Sequence, residues 1–354
     1  MSKAEKIKNY DPNGVAAADA NIFGLPFNED ESETVIIPVP WEVTVSYGGG
    51  TLYGPEAILE ASYQVDLYDP NFKDAWKLGI HFDEISDALK IKSEALRAKA
   101  ETIIADLSGE KVKETKEELE VYKKEIHDGC VHMNNWVKER VLHYFNKNKM
   151  VALVGGDHST PLGMMEALAE KHKSFAVLQI DAHADLRNAY EGFEYSHASI
   201  MYNALKIKEI SKLVQVGIRD YCQEELDLIN NSNGRIKTFF DRDIKHTLYR
   251  GDSWDRICNR IVNELPENIY LSFDIDGLDP KLCPNTGTPV AGGFETEEVL
   301  FLIEKIVKSG KRILAFDINE VSPAENNDWD ANVASRLLYR ICNLMALSNK
   351  KQFN

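Results

Sequence analysis

Val177-Leu178-Gln179-Ile180-Asp181-Ala182-His183-Ala184-Asp185-Leu186-Arg187 changes character at one bond, where an apolar run gives way at Asp181 to acids alternating with a histidine. Three other stretches repeat the pattern: Val151-Ala152-Leu153-Val154-Gly155-Gly156-Asp157-His158-Ser159, Tyr270-Leu271-Ser272-Phe273-Asp274-Ile275-Asp276-Gly277-Leu278-Asp279-Pro280, and Ala315-Phe316-Asp317-Ile318-Asn319-Glu320-Val321. The apolar, β-branched runs are 34–39, 150–154, 175–180, 212–218, 236–240, 269–273 and 312–318. Helical stretches such as 252–265 and 296–308 lie between most of them. Near-continuously apolar strands alternating with helices predict an α/β fold with a mostly parallel sheet covered on both faces. Ligands of such sheets sit at the carboxyl ends of the strands. The acids and histidines collect there.

The stretch 83–149 is rich in Glu, Lys, Ala and Leu, with a break at Ser108-Gly109. It reads as a long helical insert of two or more helices with solvated faces, packed on the sheet edge. Residues 327–347 read as a closing helix, and 1–33 as an N-terminal extension. No linker rich in Pro, Gly or Ser divides the chain, so a single domain over 1–354 is expected. Lys plus Arg number 41 against 57 Asp plus Glu, a net charge of −16, which disfavours phosphate-bearing nucleic acid as a partner. The 5 cysteines are widely spaced with no Cys-x-x-Cys, which excludes a disulfide framework and a thiolate zinc site. No run approaches the roughly 18 apolar residues of a membrane span, and the amino terminus leads into no apolar segment. A cytoplasmic protein without a membrane partner is expected.

In extended chain, residues two apart share a face. Asp181, His183 and Asp185 then point one way, as do Asp274 and Asp276. If their strands are neighbours, these groups converge, and His158 completes a set of six side chains with four carboxylates. So many like charges raise one another's pKa unless cations neutralise them, and four carboxylates balance two dications. Oxygen-rich ligands with some imidazole and no thiolate fit Mn²⁺ best and admit Fe²⁺, Co²⁺, Ni²⁺ or Zn²⁺. Two such ions, roughly 3.5–4 Å apart, share a water and lower its pKa toward neutrality, so metal-assisted hydrolysis is the reaction class. Each motif alone also describes a solvated loop. Their joint occurrence after apolar strands is what points to a site.

These motifs resemble the ureohydrolases: arginase, agmatinase, guanidinobutyrase, formimidoylglutamase and relatives. The resemblance runs from about residue 38 to about 347 and rests on Gly155-Gly156-Asp157-His158-Ser159, Asp181-Ala182-His183-Ala184-Asp185 and residues 272–280, together with 46–55 and 287–293. It implies a three-layer α/β/α sandwich of the arginase type, commonly assembled as trimers or hexamers. It implies one manganese held by His158, Asp181, Asp185 and Asp274, and another by Asp181, His183, Asp274 and Asp276. His197, 12 residues beyond Asp185, matches the family's proton-shuttling histidine, and Glu320 the acid that pairs with the substrate guanidinium.

The loop Asp185-Leu186-Arg187-Asn188-Ala189-Tyr190-Glu191-Gly192-Phe193-Glu194-Tyr195-Ser196-His197 is similar to agmatinases and departs from the arginase loop that reads an α-carboxylate. Cys222 stands where many arginases carry an Asp for the α-amino group. Hydrolysis of agmatine to urea and putrescine is therefore favoured over hydrolysis of arginine to urea and ornithine. Guanidinobutyrate, formiminoglutamate and guanidine are further candidates for this small guanidino substrate. Arg187, if it faces the pocket, repels an ammonium tail and attracts a carboxylate; its other reading is a surface pair with an acid such as Glu191. Two alternatives from other classes are a single-zinc deacetylase-like hydrolase and a non-catalytic binding protein on the same scaffold.

Overall fold

A computed structural model describes residues 1–17, 20–325 and 327–351. The strands are β1 (Thr34–Val39), β2 (Ile80–Phe82), β3 (Met150–Gly155), β4 (Phe175–Ile180), β5 (Ile210–Val216), β6 (Ile236–Phe239), β7 (Asn268–Asp274) and β8 (Arg312–Asn319). They form one sheet in the order β2-β1-β3-β8-β7-β4-β5-β6, and every pairing is parallel. The four strands that carry the acidic motifs, β3, β8, β7 and β4, are consecutive at the centre. Their carboxyl ends therefore open side by side.

The helices are α1 (Lys3–Asn9), α2 (Gly54–Ser62), α3 (Asp87–Leu107), α4 (Lys116–Asn146), α5 (Leu162–Lys171), α6 (Ile200–Ala204), α7 (Gln223–Asn231), α8 (Asp241–Tyr249), α9 (Trp254–Glu264), α10 (Thr296–Lys308) and α11 (Trp329–Ser348). Strand residues alternate between two cores. Ile36, Ala152, Leu178 and Leu271 face α2, α9, α10 and α11, whereas Val35, Val151, Val177 and Tyr270 face α3 to α6. This is the three-layer α/β/α sandwich expected of an arginase-like chain.

Strand β2 was not among the apolar runs, because it is three residues long and interrupted by His81. Its outer edge is satisfied by one side chain: Phe82 N donates to Asn21 Oδ1 at 2.6 Å, and Asn21 Nδ2 donates to Phe82 O at 3.1 Å. Capping an exposed strand edge in this way blocks further pairing.

The stretch 83–149 holds two helices, as read, but they do not pack on the sheet edge. They cover a face. Leu89, Leu96, Ala100 and Ile103 of α3, with Ile126, Met133, Val137 and Val141 of α4, follow helical spacing into the core beside Val35 and Val151. Each buried Leu or Ile contributes about 1.5–3 kcal/mol, enough to seat a long helix whose other face is charged. Ser86 caps α3, and Thr115 with Glu118 forms a reciprocal box at the start of α4.

Arg140 ties α4 to the β2 edge: its Nε and Nη2 donate to Asp83 Oδ2 and Oδ1, each at 2.6 Å. Burial would raise the Asp83 carboxyl, but the Arg140 and Tyr144 hydrogen bonds hold it below its ordinary pKa. A depressed folded-state pKa stabilises the protein above the unfolded carboxylate value and ceases to do so as pH falls through the folded one. Arg140→Ala is expected to destabilise by about 1–2 kcal/mol at neutral pH, discounted for the screening of a partly exposed arginine. Thermal melts of both proteins should show the gap shrinking below roughly pH 4.

Candidate active site

Gly155 and Gly156 end β3 where the strand ends crowd together. A Cβ on Gly156 would lie 1.8 Å from Trp41 O, and one on Gly155 would lie 1.9 Å from Asn319 Oδ1. The turn that follows delivers His158 into the gap between β8, β7 and β4.

The six motif side chains do converge, although not by strand alternation. Strand β4 ends at Ile180, so residues 181–185 lie beyond it, with Asp185 in the left-handed region at φ 54°. Asp276 sits in a 3₁₀ turn, Ile275–Gly277, just after β7. The convergence expected from strand pleating is therefore produced by turns at the strand ends. His158 Nδ1 lies 3.0 Å from Asp181 Oδ2, 3.0 Å from Asp185 Oδ2 and 3.3 Å from Asp274 Oδ2. His183 Nδ1 lies 2.9 Å from Asp276 Oδ2 and 3.7 Å from Asp181 Oδ1. Two groups able to hold a metal result, His158-Asp181-Asp185 and Asp181-His183-Asp276, and they share Asp181. Asp274 lies against the first, and its Oδ1 accepts from Asp276 N at 2.8 Å.

The electrostatics fit a cation. Burial, then Asp185 and Asp276, push Asp181 up to about 7. Burial with Asp276 and Asp181 drives Asp274 well above its ordinary value. Burial alone would lower both histidines, but the surrounding carboxylates raise His158 and His183 well above the usual imidazole range. Burial would also raise Asp276, and His183 holds it low instead. With only the protein's own charges, the cluster must borrow protons to be tolerable. His158 Nδ1 is itself buried and without a hydrogen-bond partner although carboxylate oxygens surround it, the arrangement of a ligand set built for a metal.

A layer behind these groups fixes their orientation. His158 Nε2 meets Ser272 Oγ at 2.9 Å, and Ser272 Oγ donates to Asp317 Oδ1 at 3.1 Å. Asp317 also binds Tyr270 Oη and Asn319 Nδ2. Gln179 Nε2 donates to Asp181 Oδ2 at 2.8 Å. Ser272 and Gln179 were not singled out from sequence, yet each stands two residues before an acid at or just past the end of its strand, and that spacing was a readable signal. Such partners set ring orientation and ligand basicity. Ser272→Ala is expected to weaken divalent-metal affinity about 10–100-fold, measurable by titration calorimetry; unchanged affinity would contradict this role.

Glu320 occupies another strained position, φ 63°, at the end of β8. Its Oε1 accepts from His158 N at 2.7 Å. Its Oε2 lies beside Gly287, where a Cβ would come within 3.6 Å. His197 opens a 3₁₀ turn beyond the acids, with Nδ1 3.2 Å from Ser196 Oγ. Burial brings its pKa down to about 4, against the pull of Asp185, so the ring is neutral at pH 7.

A cleft of about 160 Å³ joins His183, Asp185, Arg187 and His197 to Ser46, Tyr190, Asp220, Tyr221, Glu225 and Thr288. Arg187 therefore faces the cleft, with its guanidinium 4.6 Å from the Tyr190 ring centroid. Glu225 does not line up with any motif in sequence. It ties the Arg187 loop to α7, accepting from Leu186 N at 3.0 Å and from Cys222 N at 2.8 Å. Larger cavities lie elsewhere, one of about 700 Å³ beside α10 and α11, but none of the motif residues line it.

The family model described as the arginase family matches residues 32–343. The chain belongs to the arginase family. It is thus a ureohydrolase, a hydrolase of carbon–nitrogen bonds, from a family with a binuclear metal centre and small guanidino substrates. The chain is 33% identical over 319 residues to an N(1)-aminopropylagmatine ureohydrolase from Thermococcus kodakarensis, covering 90% of this chain and 92% of that one. It is 27% identical over 326 residues to a protein of the same name from Synechocystis, with 91% and 92% covered. The solved agmatine ureohydrolase of Thermoplasma volcanium superimposes with a TM-score of 0.69 at 22% identity, over 99% of this chain and 100% of that one, which supports the fold. Among the described residues no helix is long and apolar enough to cross a membrane.

Proposed function

We propose that this ureohydrolase uses two Mn²⁺ ions to hydrolyse the guanidinium of agmatine or of its N1-aminopropyl derivative, releasing urea and the corresponding amine. The observation that carries the reading is the pair of ligand groups sharing Asp181. His158, Asp181, Asp185 and Asp274 would hold one ion, and Asp181, His183, Asp274 and Asp276 the other. Bound there, the ions supply Lewis acidity and make water a nucleophile near neutral pH.

The chain's own residues do the rest. Glu320 accepts N–H bonds from the planar guanidinium and orients its carbon toward the ligand cluster. Its Oε1 is already engaged by His158 N, which fixes the carboxylate before substrate arrives. As water adds to the guanidinium carbon and the bond to the alkyl nitrogen breaks, the departing nitrogen must gain a proton. His197, partly buried at the cleft wall and held neutral by desolvation, accepts a proton and passes it to that nitrogen. Homo-trimers or hexamers in the cytoplasm are part of the same proposal.

The names of the relatives support an amine-bearing tail. A second reading, a tail ending in a carboxylate as in arginine or guanidinobutyrate, rests on Arg187, which lines the cleft. Urea release from agmatine, N1-aminopropylagmatine, arginine and guanidinobutyrate in Mn²⁺ buffer tests both. Higher kcat/KM for the two amines supports the proposal, and preference for either carboxylate overturns it.

A further inference from the structure

Gly48-Gly49-Gly50 lies in a loop that the mechanism above does not use, between β1 and α2. Each glycine lets the backbone approach a neighbour that a side chain would strike. A Cβ on Gly48 would lie 2.8 Å from Gly287 O, one on Gly49 3.0 Å from Glu42 Oε1, and one on Gly50 2.4 Å from Ser322 Oγ. These contacts surround Glu320. Gly287 is the residue beside Glu320 Oε2 and precedes Thr288 of the cleft. Ser322 stands two residues past Glu320, and its Oγ donates to Gly49 O at 3.3 Å. The earlier part of the loop supplies Ser46 to the cleft, and the Thr44 backbone hydrogen-bonds His197. One loop therefore abuts the surroundings of both groups to which the mechanism gives a role.

A single carboxylate closes that loop. Glu42 is 8% exposed, and its Oε2 accepts from Gly50 N at 2.7 Å, Thr51 Oγ1 at 2.9 Å and Leu52 N at 3.0 Å. Bonds to an ionised acceptor are roughly twice as strong as neutral ones, and here they also offset the cost of burying a charge. A residue chosen only to fill this space would be apolar. Helix α3 fixes the base of the loop. Glu42 N donates to Ser93 Oγ at 2.8 Å, and Arg97 Nη1 donates to the carbonyls of Val43 and Val45. On the other side, Asp157 N donates to Trp41 O at 2.9 Å and Val43 N to Asp157 Oδ2 at 3.3 Å, so the base also rests on the turn that carries His158.

Resting on the guanidine-hydrolase reading, we propose that Glu42 is a positioning residue whose carboxylate closes the 43–52 loop and thereby holds His197 and the Gly287 flank of Glu320 in register with the substrate. Glu42 does not itself line the cleft; it acts through the wall it gathers. Glu320 keeps its own bond to His158 N when the loop loosens, so guanidinium binding survives. What is lost is the geometry in which His197 meets the departing nitrogen, and the effect falls on kcat more than on KM. Through Ser93 and Arg97 the long helical insert acquires a hold on the same wall.

The test compares Mn²⁺-loaded wild type, Glu42→Gln and Gly48→Ala on agmatine and N1-aminopropylagmatine. Glu42→Gln keeps the shape and removes the charge. Gly48→Ala pushes the same loop away from Gly287, from a solvent-exposed position. In both, kcat is expected to fall about 10- to 100-fold, with KM within about threefold of wild type, as for a displacement of the order of 1 Å. Bound metal should be unchanged. Hydrogen exchange of the metal-free proteins gives a readout without turnover: amides 50–52 are expected to exchange faster in Glu42→Gln, and amides 181–185 at the wild-type rate. A kcat within twofold of wild type in either variant overturns the assignment. So does lost metal, or exchange raised along the whole chain, in Glu42→Gln, since either marks a residue that only holds the fold together. A wild type inert toward every guanidine overturns the substrate reading itself, and this inference with it.

Discussion

Asp181→Ala is expected to lower kcat by at least about a thousandfold and to reduce bound metal from two ions to at most one. The magnitude follows from where Asp181 stands. It belongs to both groups of potential ligands, so its loss disturbs both ions at once. Its Oδ2 is 3.0 Å from His158 Nδ1, and its Oδ1 accepts from His183 N at 2.6 Å, which fixes the start of the second group. The loss is one of chemistry more than of folding. A buried carboxylate whose pKa burial, Asp185 and Asp276 push to about 7 is a source of repulsion in the metal-free protein. The melting temperature of metal-free Asp181→Ala should therefore stay near that of the metal-free wild type. Elemental analysis and a urea assay, run on the same preparation, read both effects. Two bound ions with wild-type turnover would remove Asp181 from the site.

Glu320→Gln is expected to lower kcat/KM by roughly 30- to 4,000-fold, the effect of removing one partner of a desolvated charge pair worth about 2–5 kcal/mol. Glutamine keeps an oxygen for His158 N, which Glu320 Oε1 engages at 2.7 Å, so the turn after β3 is preserved. Stability should move the other way. Burial and Asp157 drive the Glu320 carboxyl well above its ordinary pKa. A raised folded-state pKa means that the protonated form stabilises the fold at low pH, and that this contribution disappears as pH rises through the folded value. The neutral amide escapes that penalty. Metal-free Glu320→Gln should therefore gain melting temperature relative to wild type as pH rises above about 4, even though the enzyme is crippled. A variant with wild-type kcat/KM would show that Glu320 does not touch the substrate.

Much of this was legible before any coordinates. The sheet was readable because its central strands are buried on both faces, so Val151–Val154 is an unbroken apolar run and Phe175–Ile180 is interrupted only by Gln179. The edge strand Ile80–Phe82 escaped because a short partner with one covered side needs no such run. Asp181, His183, Asp185, Asp274 and Asp276 were legible because each stands at or just past a strand end, although turns, not pleating, aim all but Asp274. Helices α3 and α4 were readable as helices, but their place over a sheet face was not, since periodicity says which side is apolar and not what it meets. Glu225 was hidden for a different reason. It reaches the site from the first turn of α7, and its neighbours in sequence carry no sign of it.

The binuclear assignment is tested most directly by anomalous scattering from crystals grown in Mn²⁺. Two peaks roughly 3.5–4 Å apart, both in contact with the Asp181 carboxylate, are expected between the ends of β3, β7 and β4. A single peak, or two that do not share Asp181, would contradict it.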